Sequence, residues 1–133
     1  MIAAVHELQT ASKPVRLVLV PERITIDATG EDLSYVEVRA LDAVGRVVPE
    51  AQNSVHFEIS GQGTLAAVDN GDLDSPEAFK CNQRELRGGR ALAIIQSARQ
   101  LGTIRVVAHS EGFQDATVEI QVKAPAYPIS TLP

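Results

Sequence analysis

Short stretches of alternating apolar and polar residues, separated by turns about every 10 residues, constrain the fold of this chain more than any other feature. In residues 34–42, for example, Val36, Val38 and Ala40 alternate with more polar neighbours, a pattern typical of a half-buried β-strand. No long helical pattern competes with this alternation. Seven to nine strands of this kind predict an all-β, immunoglobulin-like antiparallel β-sandwich.

The individual strands can be placed by the same alternation. The stretch 91–96 is almost wholly apolar, so we expect it to be a central strand that is covered on both faces. The other strands are predicted near 15–20, 24–28, 34–42, 47–48, 55–59, 64–68, 104–109 and 116–122. From the facing of these strands we predict a core that includes Leu17, Ile26, Val38, Phe57, Ile94, Val106 and Ile120.

The composition changes at the two ends of the predicted sandwich. We interpret residues 1–13 as the end of a preceding domain and a linker, and residues 14–123 as the sandwich. Residues 124–133 contain three of the seven prolines and are predicted to be a loose C-terminal tail. The chain would then be a piece of a larger protein.

Residues 69–90 lack alternation, and loops of this length inside a compact domain usually have a function or pack on something. Oxygen-bearing side chains crowd its start, but the calcium-loop spacing fails, so a tight turn is the favoured interpretation. Polar residues of alternate spacing near its end would share one face of an extended segment. They could bind a sugar or a neighbouring domain, or they could satisfy carboxylates of the same loop. The resulting ligand or interface candidates are Asp69, Asn70, Asp72, Phe79, Lys80, Asn82 and Arg84.

Charge and residue types argue against several other classes of function. The net charge of −5, without a basic stripe, disfavours binding to nucleic acid, and no apolar run reaches the roughly 20 residues of a membrane helix. The single cysteine, Cys81, cannot form an internal disulfide. His6, His56 and His109 fall on separate predicted strands without metal-ligand spacing. We therefore expect no metal, no cofactor, no membrane partner and no catalytic residue.

Two groups of short motifs occur in order along residues 14–123. The first group is Gly30-Glu31-Asp32-Leu33-Ser34-Tyr35-Val36, Leu41-Asp42 and Gly45-Arg46-Val47-Val48-Pro49. The second group is Gly61-Gln62-Gly63, Val68-Asp69-Asn70-Gly71-Asp72, Glu77-Ala78-Phe79-Lys80, Asn82, Arg84, Gly89-Arg90-Ala91-Leu92 and Gln96-Ser97. In these motifs the chain resembles the C-terminal immunoglobulin-like domain of glycoside hydrolase family 2 proteins of the bacterial β-galactosidase type.

The resemblance implies that the parent protein carries a catalytic (β/α)8 barrel upstream, with two glutamates for retaining hydrolysis, and that this fragment is not itself an enzyme. It implies a non-catalytic accessory domain that packs on or spaces the catalytic core, with the neighbouring domains of the parent hydrolase as its partners. It also implies a bacterial, extracytoplasmic location, periplasmic or secreted. Two alternatives stay open, a carbohydrate-binding module and an immunoglobulin-like repeat of a bacterial surface adhesin.

Overall fold

The computed structural model describes residues 13–69 and 82–125. No helix within these ranges is long and apolar enough to span a membrane. The strands in the described ranges are β1 (Arg16–Pro21), β2 (Thr25–Asp27), β3 (Leu33–Leu41), β4 (Ser54–Gly61), β5 (Gly63–Asp69), β6 (Gln83–Glu85), β7 (Arg90–Ser97), β8 (Gly102–His109) and β9 (Ala116–Lys123).

The strands form two sheets that pack face to face. The four-stranded sheet has the order β1-β3-β7-β5, and the five-stranded sheet has the order β2-β9-β8-β4-β6. Strands β2 and β9 pair in parallel, whereas the other strand pairs in the described residues are antiparallel. This order corresponds to the two sheets of an immunoglobulin sandwich. The prediction of an all-β, immunoglobulin-like sandwich is therefore confirmed.

The hydrophobic core lies between the sheets and contains most of the predicted residues. Ile94 is the exception, because it is half-buried and points outward, while Ile95 is fully buried in its place. Both faces of β7 are apolar, so alternation could not decide which set of side chains faces inward. The residues that were predicted for the core and are buried in it are Leu17, Ile26, Val38, Phe57, Val106 and Ile120.

Two elements differ from the prediction. The expected strand at 47–48 is only a single bridge between Val47 and Leu41. Strand β6 lies in a segment that was predicted to be loop, and it pairs antiparallel with β4 at the edge of the five-stranded sheet. The connection from β5 to β7 therefore crosses to the opposite sheet, adds a short edge strand there, and returns.

The predicted terminal segments are mostly outside the described residues. Of residues 1–13 only Lys13 is described, and of residues 124–133 only Ala124 and Pro125. The interpretation of these segments as a linker and a tail stays a prediction. The strands themselves run from Arg16 to Lys123.

Candidate ligand and interface surfaces

The seven candidate residues divide between described and undescribed parts of the chain. Asp69 ends β5, Asn82 precedes β6, and Arg84 is the middle residue of β6. The candidates outside the described residues are Asn70, Asp72, Phe79 and Lys80. A role in ligand binding stays a prediction for all seven residues.

Arg84 lies inside the sandwich. Its relative exposure is 0%, and its backbone is paired with Val55 of β4. Its Nη2 atom lies 3.4 Å from the carbonyl oxygen of Val68 on β5, to which it donates. The side chain therefore bridges β6 to the other sheet, as expected of a residue that satisfies backbone carbonyls.

Asn82 lies at the surface, whereas Arg84 is buried, so the two side chains do not share the polar face predicted from their spacing. Its side-chain Nδ2 lies 3.1 Å from Nε2 of His56 on β4. Its backbone carbonyl accepts a hydrogen bond from the N–H of Phe57 at 2.8 Å. Asn82 thereby links the start of β6 to the outer face of the five-stranded sheet.

A shallow polar groove of about 510 Å³ lies on that outer face. His56 of β4 is directly opposite His109 of β8, and Nδ1 of His109 lies 2.7 Å from Oδ1 of Asp115. Alternation predicts the histidines on separate strands but does not reveal this pairing, because the register between β4 and β8 cannot be deduced from alternation alone. The groove is lined by Ser54, His56, Glu58, Gln83, His109 and Glu111, with Ser110.

The groove offers hydrogen-bonding groups but no strong metal site. Within residues 13–69 and 82–125, no three or more His, Cys, Asp or Glu side chains are grouped so that they could hold a metal ion. Tyr35 lies on the other sheet, and Phe113 packs against the core. A sugar in the groove would therefore be held by polar side chains such as those of His56 and Gln83.

The opposite outer face, on the four-stranded sheet, is more apolar. Val18 and Val20 of β1 and Leu92 and Ile94 of β7 are outward-pointing, half-buried aliphatic residues. Tyr35 of β3 is 41% exposed. We call this surface the outer apolar face, and it consists of Val18, Val20, Tyr35, Ala67, Leu92 and Ile94.

Asp32, one of the motif residues, has a structural role at the start of β3. Its carboxylate accepts hydrogen bonds from the guanidinium of Arg23 at 2.8 and 3.0 Å and from the backbone N–H groups of Asp27 and Leu33. The hydrogen bond from Arg23 lowers the pKa of Asp32, the two backbone donors act in the same direction, and partial burial opposes them.

Asp42 likewise stabilises a turn, at the end of β3. One of its carboxylate oxygens accepts hydrogen bonds at 2.9 Å from the backbone N–H groups of Val44, Gly45 and Arg46. Short polar side chains commonly stabilise turns in this way. The first group of motifs therefore contains residues that shape turns.

Known proteins similar to this chain are family 2 glycoside hydrolases. Residues 17–119 match the family described as glycoside hydrolase family 2 C-terminal domain 5. A β-galactosidase of Bacteroides ovatus is 38% identical over 122 residues, which are 92% of this chain and 14% of that enzyme. A β-glucuronidase of Formosa agariphila is 29% identical over 96 residues, which are 71% of this chain and 9% of that enzyme.

A solved structure gives the same result at the level of the fold. A glycosyl hydrolase family 2 member from Bacteroides cellulosilyticus superposes with a TM-score of 0.82 and 32% identity, over 85% of this chain and 15% of that protein. The chain thus spans only about a seventh or less of the length of these relatives. Since the family match extends over most of its residues, the chain belongs to the C-terminal domains of glycoside hydrolase family 2.

Proposed function

We propose that this chain is a non-catalytic accessory domain of a β-galactosidase-type hydrolase and packs on the catalytic part of that enzyme. The observation that carries the proposal is the small fraction of a related enzyme's length that this chain matches. Only 14% of the Bacteroides ovatus β-galactosidase is matched, so most of that enzyme's length lies outside the match. The family match favours this function over the adhesin-repeat hypothesis.

The chemistry of the described surface supports the same proposal. Retaining hydrolysis needs two carboxyl groups about 5 Å apart that flank a bound sugar. The carboxylates of Asp32 and Asp42 accept backbone hydrogen bonds that stabilise turns. Glu58 and Glu111 line the polar groove, which is shallow and open, so these two carboxylates are the ones that an active site in the groove would use.

An activity assay on the purified chain tests the absence of catalysis. We expect no turnover of an aryl β-galactoside or an aryl β-glucuronide above the rate of a Glu58→Gln/Glu111→Gln double variant. Turnover that is lost in that variant, or in Asp69→Asn or Asp72→Asn, would show an active site in the domain and would overturn the proposal.

Carbohydrate binding is the second candidate, and the polar groove is the observation that favours it. Titration of the chain with galactosides and glucuronides, followed by NMR chemical shifts, tests this function. Binding through the groove should be lost in His56→Ala and kept in Glu119→Gln, an exposed change on β9 of the same sheet. Shifts that do not saturate at millimolar glycan would reject this candidate.

An extracytoplasmic location is part of the proposal, and it is supported by the family resemblance alone. Fractionation of the source bacterium, with an antibody against this domain, tests it. The full-length protein should be recovered in the periplasmic or secreted fraction. Recovery in the cytoplasmic fraction would reject this part of the proposal without affecting the accessory role.

A further inference from the structure

The two outer faces of the sandwich differ in polarity. On the five-stranded sheet, β4, β8 and β9 present mainly polar residues outward, such as Glu58, Arg105 and Glu119. On the four-stranded sheet, β1 and β7 carry aliphatic residues at their middle outward positions, with Arg16, Arg90 and Gln96 toward the strand ends. A strand that is apolar on both sides is typical of a sheet that is covered on both faces, and clustered exposed apolar residues mark interaction sites.

The register brings the residues of the outer apolar face together. Tyr35, Ile94 and Ala67 are direct neighbours across β3, β7 and β5. In the adjacent row, Val20 and Leu92 lie on either side of Glu37. Side chains directly opposite one another on antiparallel strands are in contact distance, so these residues form one continuous surface.

Charged side chains of both signs occur along this surface. Glu37 forms ion pairs with both Arg39 and Arg90, the latter at 3.1 Å. Arg16 also points outward, and Asp69 is the second carboxylate on the outward positions of these strands. The outward positions of these strands thus carry three arginines and two carboxylates, although the chain as a whole has a net charge of −5. A complementary surface would be apolar at its centre and polar at its edges.

We propose that the outer apolar face is the surface by which this domain docks onto the preceding part of its own parent hydrolase, leaving the five-stranded sheet in solvent. This inference rests on the proposed accessory function. Most of the relatives' length lies outside the match, and the described chain enters the sandwich through β1, the edge strand of this same sheet. The polypeptide that precedes β1 therefore joins the sandwich beside this face.

The competing occupants of the face are the segments of this chain outside the described residues, which are 1–12, 70–81 and 126–133. Of these, the connection at 70–81 is disfavoured by its anchor points. It leaves β5 at Asp69, on the edge opposite to β1, and resumes at Asn82, whose backbone bonds to Phe57 of the other sheet. Val18 and Val20 lie on β1, at the far edge from both anchor points.

Side-chain footprinting with hydroxyl radicals, on the 133-residue chain and on the full-length parent enzyme, tests the docking face. In the isolated chain, Tyr35, Leu92 and Ile94 should be labelled. In the full-length enzyme, we expect their labelling to fall at least fivefold. Val107, a half-buried outward residue on β8 of the other sheet, is the matched control and should be labelled equally in both proteins.

Each other outcome of this footprinting contradicts the inference in a different way. Protection of Val107 instead of Ile94 would overturn the docking face while keeping the accessory role. Unchanged labelling on both faces would overturn the docking and the accessory packing together. Protection of Ile94 already in the isolated chain would assign the face to a segment of this chain outside the described residues.

A pair of variants in the full-length enzyme provides a second measurement. Ile94→Arg should restore the labelling of Tyr35 to the level of the isolated chain, whereas Val107→Arg should not. Circular dichroism of the same variants in the isolated chain checks that both still fold. Tyr35 that stays protected in a folded Ile94→Arg enzyme would overturn the inference.

Discussion

Asp32 shows how one carboxylate in a family motif stabilises the fold. It joins Arg23 to the backbone at Asp27 and Leu33, so it holds the chain between β1 and β3 in a fixed turn. Thr29 contributes to the same turn, because its hydroxyl accepts hydrogen bonds from the N–H groups of Glu31 and Asp32. The turn at residues 29–32 is therefore stabilised by side-chain oxygens.

We predict that Asp32→Asn lowers the free energy of unfolding by about 1 kcal/mol at neutral pH. Since the pKa of Asp32 is lowered in the folded chain, its ionised form contributes stability above the unfolded pKa of about 3.9. That contribution is lost as the pH falls through the lower, folded pKa.

Urea denaturation between pH 2 and pH 7, roughly the range in which an Asp titrates, measures this difference. The gap between wild type and Asp32→Asn should be constant above about pH 5 and should shrink in acid. Glu31→Gln, a change at the exposed neighbour, is the control and should behave like wild type. A stability difference between wild type and Asp32→Asn that grows in acid would contradict the lowered pKa of Asp32.

Gly61 is required both by its backbone angle and by its close approach to another strand. Its φ is +91°, and a β-carbon there would overlap the carbonyl oxygen of Thr103. Gly112 has a similar φ of +88° but open space around the missing β-carbon. Comparison of the two glycines therefore separates backbone strain from steric overlap.

We predict that Gly112→Ala costs about 1 to 2 kcal/mol, the usual strain of a left-handed residue. Gly61→Ala should cost about 1 to 3 kcal/mol more, because a backbone oxygen cannot rotate away and the strands must separate. Chemical denaturation of both variants measures the costs. Equal losses would mean that β4 and β8 are not as close at this point as the structure has them.

At the scale of elements, alternation predicts strands well where one face is polar. Strands β3, β8 and β9 lie within one or two residues of their predicted positions, because their outward residues are charged or hydroxylated. For β7 alternation fails, and Ile94 was assigned to the core although Ile95 lies there. Strand β6 has only three residues and gains its stability from pairing with β4, so it has no local signal.

The facing of β4 gives a further prediction. Phe57 points into the core and is 1% exposed, whereas its neighbour His56 points outward into the polar groove. Phe57→Ala should therefore lower the free energy of unfolding by about 3 to 5 kcal/mol, as is usual for a large core aromatic residue.

The control for Phe57→Ala is His56→Ala, which removes an outward ring from the same strand. It should cost less than about 1 kcal/mol, since surface substitutions are usually mild. Thermal and urea unfolding measure both variants. A loss under about 1 kcal/mol for Phe57→Ala would mean that β4 has the opposite facing.

At the scale of the whole molecule, the sequence predicted the fold class and the family but not the surfaces. Asn82 and Arg84 were predicted to share one face of an extended segment, yet Arg84 is buried and Asn82 bonds to His56 at the surface. The His56–His109 pair and the outer apolar face both depend on strand register, which arises from tertiary packing. Spacing within one segment carries no information about such neighbours.

Calorimetry of the full-length enzyme measures directly whether the domain packs on its parent enzyme, as we claim. A domain that is bound in the folded state gains stability from that binding. Phe57→Ala identifies the transition that belongs to this domain, because it removes a core residue here. We predict that this transition lies at a higher temperature in the full-length enzyme than in the isolated 133-residue chain. A transition at the same temperature in both proteins would contradict the claim.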